Sequence, residues 1–492
     1  NVYIKYIKIT MKKLIILFVV ILLSFCVFVG YFILPANIPH TDKITDFSRI
    51  EQEIISEEIH AEKIQEIKDA LNQAKKSWTK VSIAGWRFSG GGHIMTKYGM
   101  MIDMSGFNKI LDYIPESQLI TVESWIRWRE IQEYIQADNL AIWVMQSSSI
   151  FTVWGSMSSN IHGRDARLWT IVDSIESFRL LWADGEVINV SREENSELFS
   201  LVIWGYGLFG VITDVTIRLV PDENYKRYTI ALTKENYARY LEKNIIDNDN
   251  IGLHFWRLSF APWDKFLKEF FVTNYEKINE KDLNISVDKK IENEKNVLRN
   301  RFFFNLSREF NWARNLRWFL QKKFTDNINS TQYVSRNNAM NPPIEFISYY
   351  SEKDTDILQE YYIPVENFSE FIDDLWKILS ENNVNLLSLT TRYVPKNTEI
   401  FLDYNPVDMV AVVLYFNVWL SDSEQENVKS YIQEIITSTD IHGWRYYLTY
   451  QNYANKELLM KNYWEFSDFL DLKKKYDPQE LFSNKFYETY SK

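Results

Sequence analysis

Glycine is scarce in this chain. It supplies 15 of 492 residues, against a usual share near 7%, so few positions can take left-handed backbone or let a ligand approach closely. Cysteine is nearly absent: Cys26 stands alone, which excludes an internal disulfide framework. The histidines, at 40, 60, 93, 162, 254 and 442, show no metal-ligand spacing, and no metal site is expected. Positive charge is in deficit, with a formal net charge of −11, which argues against general affinity for nucleic acid.

Tryptophan is in excess, at 17 residues. Ile, Asn, Lys, Tyr and Phe are also frequent, a bias that AT-rich coding explains. Such coding neither raises Trp nor selectively removes Gly. The length and a hydrophobic content of 46% suit two lobes or more.

Residues 14–34, LIILFVVILLSFCVFVGYFIL, carry no charge, and about 20 apolar residues suffice to span a bilayer as a helix. Lys5, Lys8, Lys12 and Lys13 precede the run. Residues 1–13 should therefore stay cytoplasmic and the rest lie outside. A cleaved signal peptide is the alternative, although its apolar core would be shorter and no small-x-small site follows. Phe25 before Cys26 spoils a lipoprotein reading. Met11-Lys12-Lys13 looks like a natural start, with residues 1–10 as upstream read-through.

Residues 35–60, with Pro35 and Pro39, read as a linker. Ile64, Ile67, Leu71 and Ala74 then fall on one helical face. Up to about 222 strand and helix alternate: LITVES (119–124) as strand, WREIQEYIQAD (128–138) as helix, 174–190 as a hairpin turning at Ala183-Asp184-Gly185, 193–202 as helix and 209–220 as strand. This is an α+β pattern of mixed strands. It is not a regular βαβ array, so the glycines at 90–92 are no Rossmann fingerprint. Beyond 222 the pattern loosens. Residues 276–300 form a solvated run. Residues 301–323, RFFFNLSREFNWARNLRWFLQKK, read either as a helix resting on a membrane surface or as a helix pair packed on its own domain with its basic face solvated. Strands follow at 385–394 and 409–420, and 358–379 reads as a strand into a helix.

Four stretches share one peculiarity: IAGWRFSGG (83–91), MQSSSIFTVWGSMSSNIHGRD (145–165), VIWGYGLFGVITDV (202–215) and HGWRYYLTY (442–450). Together they resemble the motifs of flavin-linked oxidases with the vanillyl-alcohol-oxidase (PCMH-type) FAD domain. The closest look is to sugar-oxidising members: alditol and aldonolactone (D-arabinono-1,4-lactone) oxidases and the decaprenylphosphoryl-ribose oxidases. The resemblance covers roughly 62–220 and 341–492. It implies an α+β, two-lobed molecule behind an N-terminal transmembrane helix: a PCMH-type FAD-binding domain (61–222), a substrate-cap domain with an antiparallel sheet (223–440) and a C-terminal segment (441–492) returning to the flavin.

By the same resemblance Ile83, Ala84, Gly85, Trp86, Arg87, Phe88, Ser89 and Gly90 wrap the FAD pyrophosphate. Ser147, Thr152, Val153, Trp154, Gly155 and Ser156 line the flavin, and Ser159, Asn160, His162 and Gly163 continue that wall. Gly207 and Gly210 belong to the third motif, Ile212 meets the flavin or adenine through backbone, and Tyr447 contacts the flavin. Phe88 stands where many relatives carry a covalently linking His, which implies non-covalent FAD. The implied reaction is hydride transfer from an alcohol carbon to the flavin while a base takes the hydroxyl proton. Glu360 matches a substrate-binding Glu and Arg392 a strand Arg; a structural salt bridge is the other reading of that pair. Asn417 or Tyr450 stands where the family often has a Lys, which leaves the base open, and Tyr450 would need a lowered pKa to serve. The substrate implied is a sugar, polyol, sugar lactone or lipid-linked sugar. The electron acceptor stays open. A 2-hydroxy-acid dehydrogenase is the alternative within the family.

Backbone N–H groups bind a diphosphate only where no side chain intervenes. Yet Trp86, Trp154 and Trp204 stand where the pattern has Gly, and Trp125, Trp143, Trp169 and Trp444 look like further cases. Trp128 sits where the family tolerates Trp. One account covers both the motifs and the counts: these Trp are glycines, written as Trp because the codon UGA, which some bacterial lineages read as Gly, was translated as Trp. The rival is a decayed flavin loop on a flavin-free, membrane-anchored scaffold. Decay should scatter substitutions over many residue types, and these converge on one.

Overall fold

A computed structural model describes residues 2–34, 43–167, 170–279, 285–441, 443 and 445–492. Trp169 and Trp444, and Pro35 and Pro39 of the expected linker, lie outside the described residues. The chain opens on a helix, Val2–Ile33, whose stretch Lys13–Ile33 is long and apolar enough to cross a membrane.

Two larger sheets form the first lobe, beside a two-stranded ribbon of Ile44–Thr45 and Gln52–Glu53. A small parallel sheet orders Glu57–His60, Met100–Asp103 and Val81–Ala84 side by side. Helix Ile64–Ser77 buries Ile67, Ala70, Leu71 and Ala74, the face that the sequence spacing marks. An antiparallel sheet runs Val187–Ser191, Ile175–Leu181, Val211–Pro221, Leu119–Glu123 and Ile110–Ile114, with Leu140–Ile142 on the far end of the long strand. In Leu119–Glu123 buried and half-buried residues alternate, as in a strand with one face on the core.

The second lobe is an eight-stranded antiparallel sheet. Its order is Gln332–Ser335, Asn224–Leu232, Phe270–Lys277, Ile251–Leu258, Asn385–Val394, Met409–Trp419, Asp354–Pro364 and Arg445–Tyr446. Met409–Trp419 is buried along almost its whole length, because sheet neighbours flank it on both sides.

Three expectations change. Residues 43–60 are not a free linker. Glu57–His60 is an edge of the parallel sheet, and Phe47 N–H donates to the Ser89 carbonyl at 2.9 Å. The 276–300 run is not wholly solvated: Val287 and Ile291 are buried, and Lys289 Nζ reaches the Asp222 carbonyl at 2.7 Å. Finally, 301–323 is a helix pair, Val297–Glu309 and Asn311–Leu320, but its basic side is not solvated. Arg308 is buried and paired with Asp356.

The C-terminal segment ties the lobes together. Arg445–Tyr446 joins the large sheet, while the Leu481 carbonyl accepts from Val81 N–H at 2.7 Å and Ser483 N–H returns to Val81 at 2.9 Å. This brings 445–451 between the Gly turn and the large sheet.

Candidate active site

Strand Val81–Ala84 empties into the turn at 85–93, which is held on every side. The Gly90 carbonyl accepts from Gln451 Nε2 at 2.8 Å and Ser48 Oγ at 3.2 Å, and the Gly91 carbonyl from Asn452 Nδ2 at 3.0 Å. Gly92 N–H donates to the buried Asp46 carboxylate at 2.9 Å. Arg87, at φ +56°, turns aside to pair with Glu58 and approaches Asp103 at 3.8 Å. Its guanidinium thus stands against both carboxylates of the Glu58, His60 and Asp103 grouping. Phe88 packs edge-on against Phe151, ring centroids 5.3 Å apart. His93 is buried between Tyr206 and Phe486, and burial pushes its imidazole down to about 3, so it is neutral.

The turn's neighbours are indoles. Trp125 and Trp154 are buried and stack at 4.4 Å with an 18° tilt. Trp125 ring atoms take the place that a Cβ on Gly85 would need, and Trp154 Cζ2 lies 3.1 Å from the equivalent place on Gly207. Trp204 is fully buried at φ +67°, a conformation that costs a bulky residue about 1–2 kcal/mol. Its ring lies 5.0 Å from Tyr404 and 5.7 Å from Tyr447. Trp86 is half-exposed under the Arg127 guanidinium at 4.7 Å.

The indoles differ in how well they are held. Trp128 donates from Nε1 to Ser156 Oγ at 2.9 Å and Gln146 Oε1 at 3.1 Å. Nε1 of Trp143, Trp154, Trp182 and Trp256 is buried with no partner, a loss of about 1–3 kcal/mol for each such group. Trp256 also overlaps Tyr237, with ring centroids 2.9 Å apart, inside the 3.5–4.0 Å or so at which carbon atoms attract.

At the other end of the motif set the chemistry is polar. Thr152 caps helix Val153–Ser158 by accepting from Gly155 N–H at 3.2 Å. Ser156 points back to Trp128 and is a packing residue. Beyond the helix the chain reaches Asn160, at φ +41°, whose side-chain O and N are buried and unpartnered. His162 follows, and its Nε2 meets Glu360 Oε1 from strand Asp354–Pro364. Both side chains are 3% exposed. Tyr450 Oη donates to the other Glu360 oxygen at 3.3 Å. Burial alone would raise the Glu360 carboxyl, but the His162 imidazole, with Arg392 and Tyr450 behind it, holds it below the ordinary carboxylate value. Arg392 donates to Ser147 Oγ at 2.8 Å and to the His162 carbonyl at 3.3 Å. Tyr447 closes the floor, its N–H on the Glu360 carbonyl at 2.9 Å and its Oη on the Ser159 carbonyl.

The structure therefore gathers Ser147, Asn160, His162, Glu360, Arg392, Tyr447 and Tyr450. It does not bring Asn417 to them. Asn417 faces Asp356, four residues and about 13 Å along the strand from Glu360. Tyr450 does not have the lowered pKa that acid–base work would need: burial and the Glu360 charge raise it well above the ordinary phenol value. Ile212 has its carbonyl taken by Ser124 Oγ at 2.5 Å, which leaves its backbone acceptor occupied. Gly207 and Gly210, at φ +73° and +146°, do need glycine. Sequence reasoning missed Arg164, whose Nε reaches Ser147 Oγ at 3.1 Å, and Tyr404, whose Oη donates to the Asn160 carbonyl at 2.7 Å. Arg164 could have been found from its place two residues past His162. It also missed that His162 and Glu360 are partners.

Residues 58–191 match the family model described as an FAD binding domain. They are an FAD-binding domain. L-gulonolactone oxidase of Bos taurus is 25% identical over 186 residues, 37% of this chain and 41% of that one. L-gulono-1,4-lactone dehydrogenase of Mycobacterium tuberculosis is 29% identical over 187 residues, 36% and 42%. D-arabinono-1,4-lactone oxidase of Candida albicans is 27% identical over 216 residues, 41% and 37%. The chain spans less than half the length of these relatives. The matched domain contains the Gly turn and the His162 wall, so the indole stack lies inside an FAD-binding domain. The polar end, with orphaned atoms on Asn160 and His162, fits a flavin ring. The pyrophosphate end, as its side chains stand, does not fit: Trp125 and Trp154 fill the cradle.

Proposed function

We propose that the chain is an FAD-dependent oxidoreductase that oxidises an alcohol carbon of a sugar, polyol, sugar lactone or lipid-linked sugar. The observation that carries this reading is the buried His162–Glu360 pair beside Arg392, inside an FAD-binding domain that also occurs in sugar-lactone oxidases and dehydrogenases. A bound flavin supplies the acceptor for the carbinol hydride. The chain's own residues handle the proton. Ionised Glu360 accepts from His162 Nε2–H and so fixes the tautomer, leaving the unpartnered Nδ1 as the base for the substrate hydroxyl, the logic of a carboxylate-oriented imidazole. Tyr450 stays a neutral phenol that orients Glu360. Arg392 and Arg164, meeting at Ser147, give the substrate side a positive field that suits polyhydroxyl or anionic groups. Phe88 offers no nucleophile, so the flavin is held without a covalent bond at that position.

The same reading takes Trp86, Trp125, Trp143, Trp154, Trp169, Trp204 and Trp444 as glycine in the native protein. The unpartnered indole nitrogens, the left-handed Trp204 and the filled cradle support it. The left-handed backbone at Trp78 and Trp263 and the Trp256–Tyr237 overlap extend it to those three positions. Native-source peptides carrying Gly at 86, 154 and 204 are the expected result; Trp there contradicts it. The N-terminal helix anchors the chain, with the catalytic lobes outside the cytoplasm, as the lysines before the span direct. Anaerobic bleaching of the flavin band by aldonolactones or alditols tests the activity. A flavin that no alcohol reduces contradicts it.

A further inference from the structure

Helix Asn311–Leu320 is inside out. Ala313 and Trp318 are buried, and Arg314 and Arg317 turn toward the protein with them. The Arg317 guanidinium donates to the Leu387 carbonyl and lies over Phe260 at 4.1 Å and Phe304 at 4.4 Å. Burial lowers Arg314 to about 10 and Arg317 to about 9. The opposite stripe, at spacings of four, three and four residues, carries Trp312, Leu316, Phe319 and Lys323. Phe319 is 55% exposed, and Phe310 and Phe324 extend the apolar surface at 39% and 66%. A helix on a soluble protein turns its apolar stripe inward.

The helix pair adjoins the end of the N-terminal helix, through Val297–Glu309 and the Ala313 flank of Asn311–Leu320. Phe32 packs into a cluster with Phe302, Leu306 and Ala313. Asn305 Nδ2 donates to the Phe32 carbonyl at 2.8 Å and Arg301 to the Ile33 carbonyl at 3.5 Å, satisfying last-turn carbonyls that otherwise lack partners. The helix pair therefore caps the apolar helix where it leaves the span.

We propose that the stripe Leu316–Phe319, with Phe310 and Phe324 at its ends, is seated in the interfacial layer of the bilayer that the N-terminal helix crosses, with Lys323 at the phosphate level. The helix pair's contact with the end of the span favours a bilayer over a second copy of the chain. The inference rests on the anchor reading and not on flavin binding.

The test uses the full chain with Cys26→Ser and a single cysteine, Phe319→Cys or Phe324→Cys, carrying an environment-sensitive fluorophore. The chain is reconstituted in phosphatidylcholine–phosphatidylglycerol vesicles, with Asp69→Cys on helix Ile64–Ser77 as the water-facing control. The expected result is blue-shifted emission at 319 and 324, several-fold stronger quenching by shallow spin-labelled lipid than at 69, and weaker quenching by iodide. Equal iodide quenching at 319, 324 and 69 overturns the proposal. So do concentration-dependent crosslinks through Phe319→Cys without lipid quenching, which assign the face to a second copy. Loss of the chain from the vesicles with an intact mass lacking residues 1–34 overturns it by removing the anchor. The mass separates that failure from a retained chain with a wet stripe.

Discussion

Trp128 and Trp154 belong to helices of the same domain, and both are buried, yet only one is accommodated. Trp128 gives its indole N–H to Gln146 and Ser156. Trp154 has no partner and leans on another indole. The contrast extends to the two ends of the candidate site. Around His162 and Glu360 an imidazole meets a carboxylate, and the hydroxyls of Tyr447 and Tyr450 have defined partners. Around the Gly turn, large rings stand where the glycines of the motif would let backbone approach a diphosphate. A buried side chain that a fold requires is hydrogen-bonded and unstrained. By that criterion Trp154 and the left-handed Trp204 are foreign to the turn end, while at the polar end Asn160 and Nδ1 of His162 are unpartnered too, on the wall that fits a flavin ring.

Four experiments sharpen or break this contrast. The largest effect belongs to Trp128→Gly, which opens a void beside Gln146 and Ser156 and should cost about 3–5 kcal/mol, read as a lower urea midpoint. Trp154→Gly together with Trp125→Gly should instead create FAD-dependent stabilisation, about 2.7 kcal/mol at a hundred times Kd. If Trp128→Gly is as harmless as the pair, the criterion is wrong. Next, in a chain carrying glycine at 86, 125, 154 and 204, His162→Ala and Glu360→Gln should each lower kcat by about 100-fold or more and keep the flavin spectrum. Undiminished turnover would reduce the pair to a structural contact.

The third concerns Asp46, whose carboxylate holds the Gly turn. Burial raises it to about 7, against donation from Ser48, Gly92 and Arg49. A folded-state pKa above the unfolded one means that the group's stabilisation is full below about pH 4 and fades as pH rises through 7. Thermal stability should fall over that window, and Asp46→Asn should flatten the fall. The smallest effect is at Trp78, an exposed left-handed cap at φ +57° closing helix Ile64–Ser77. Trp78→Gly should stabilise by about 1 kcal/mol, seen as a higher urea midpoint.

Periodicity alone makes the strands Leu119–Glu123 and Met409–Trp419 and the buried face of Ile64–Ser77 legible. Short motifs locate the FAD-binding domain and single out His162, Glu360, Arg392 and Tyr450. What stays hidden is long-range. No local pattern pairs His162 with a Glu nearly two hundred residues on, or folds residues 43–60 back onto the turn. Asn417 is misplaced by sequence reasoning because a residue's position along a strand depends on register, which is set by pairing partners. The basic face of 301–323 reads as solvated because charge usually faces water. Buried acceptors and aromatic rings reverse that here.

The account's central claim is tested most directly by the visible absorption spectrum of two purified full-length chains, one as written and one with glycine at 86, 125, 154 and 204. The account predicts a flavin band in the glycine chain alone. A flavin band in the chain as written, at equal occupancy, would contradict it.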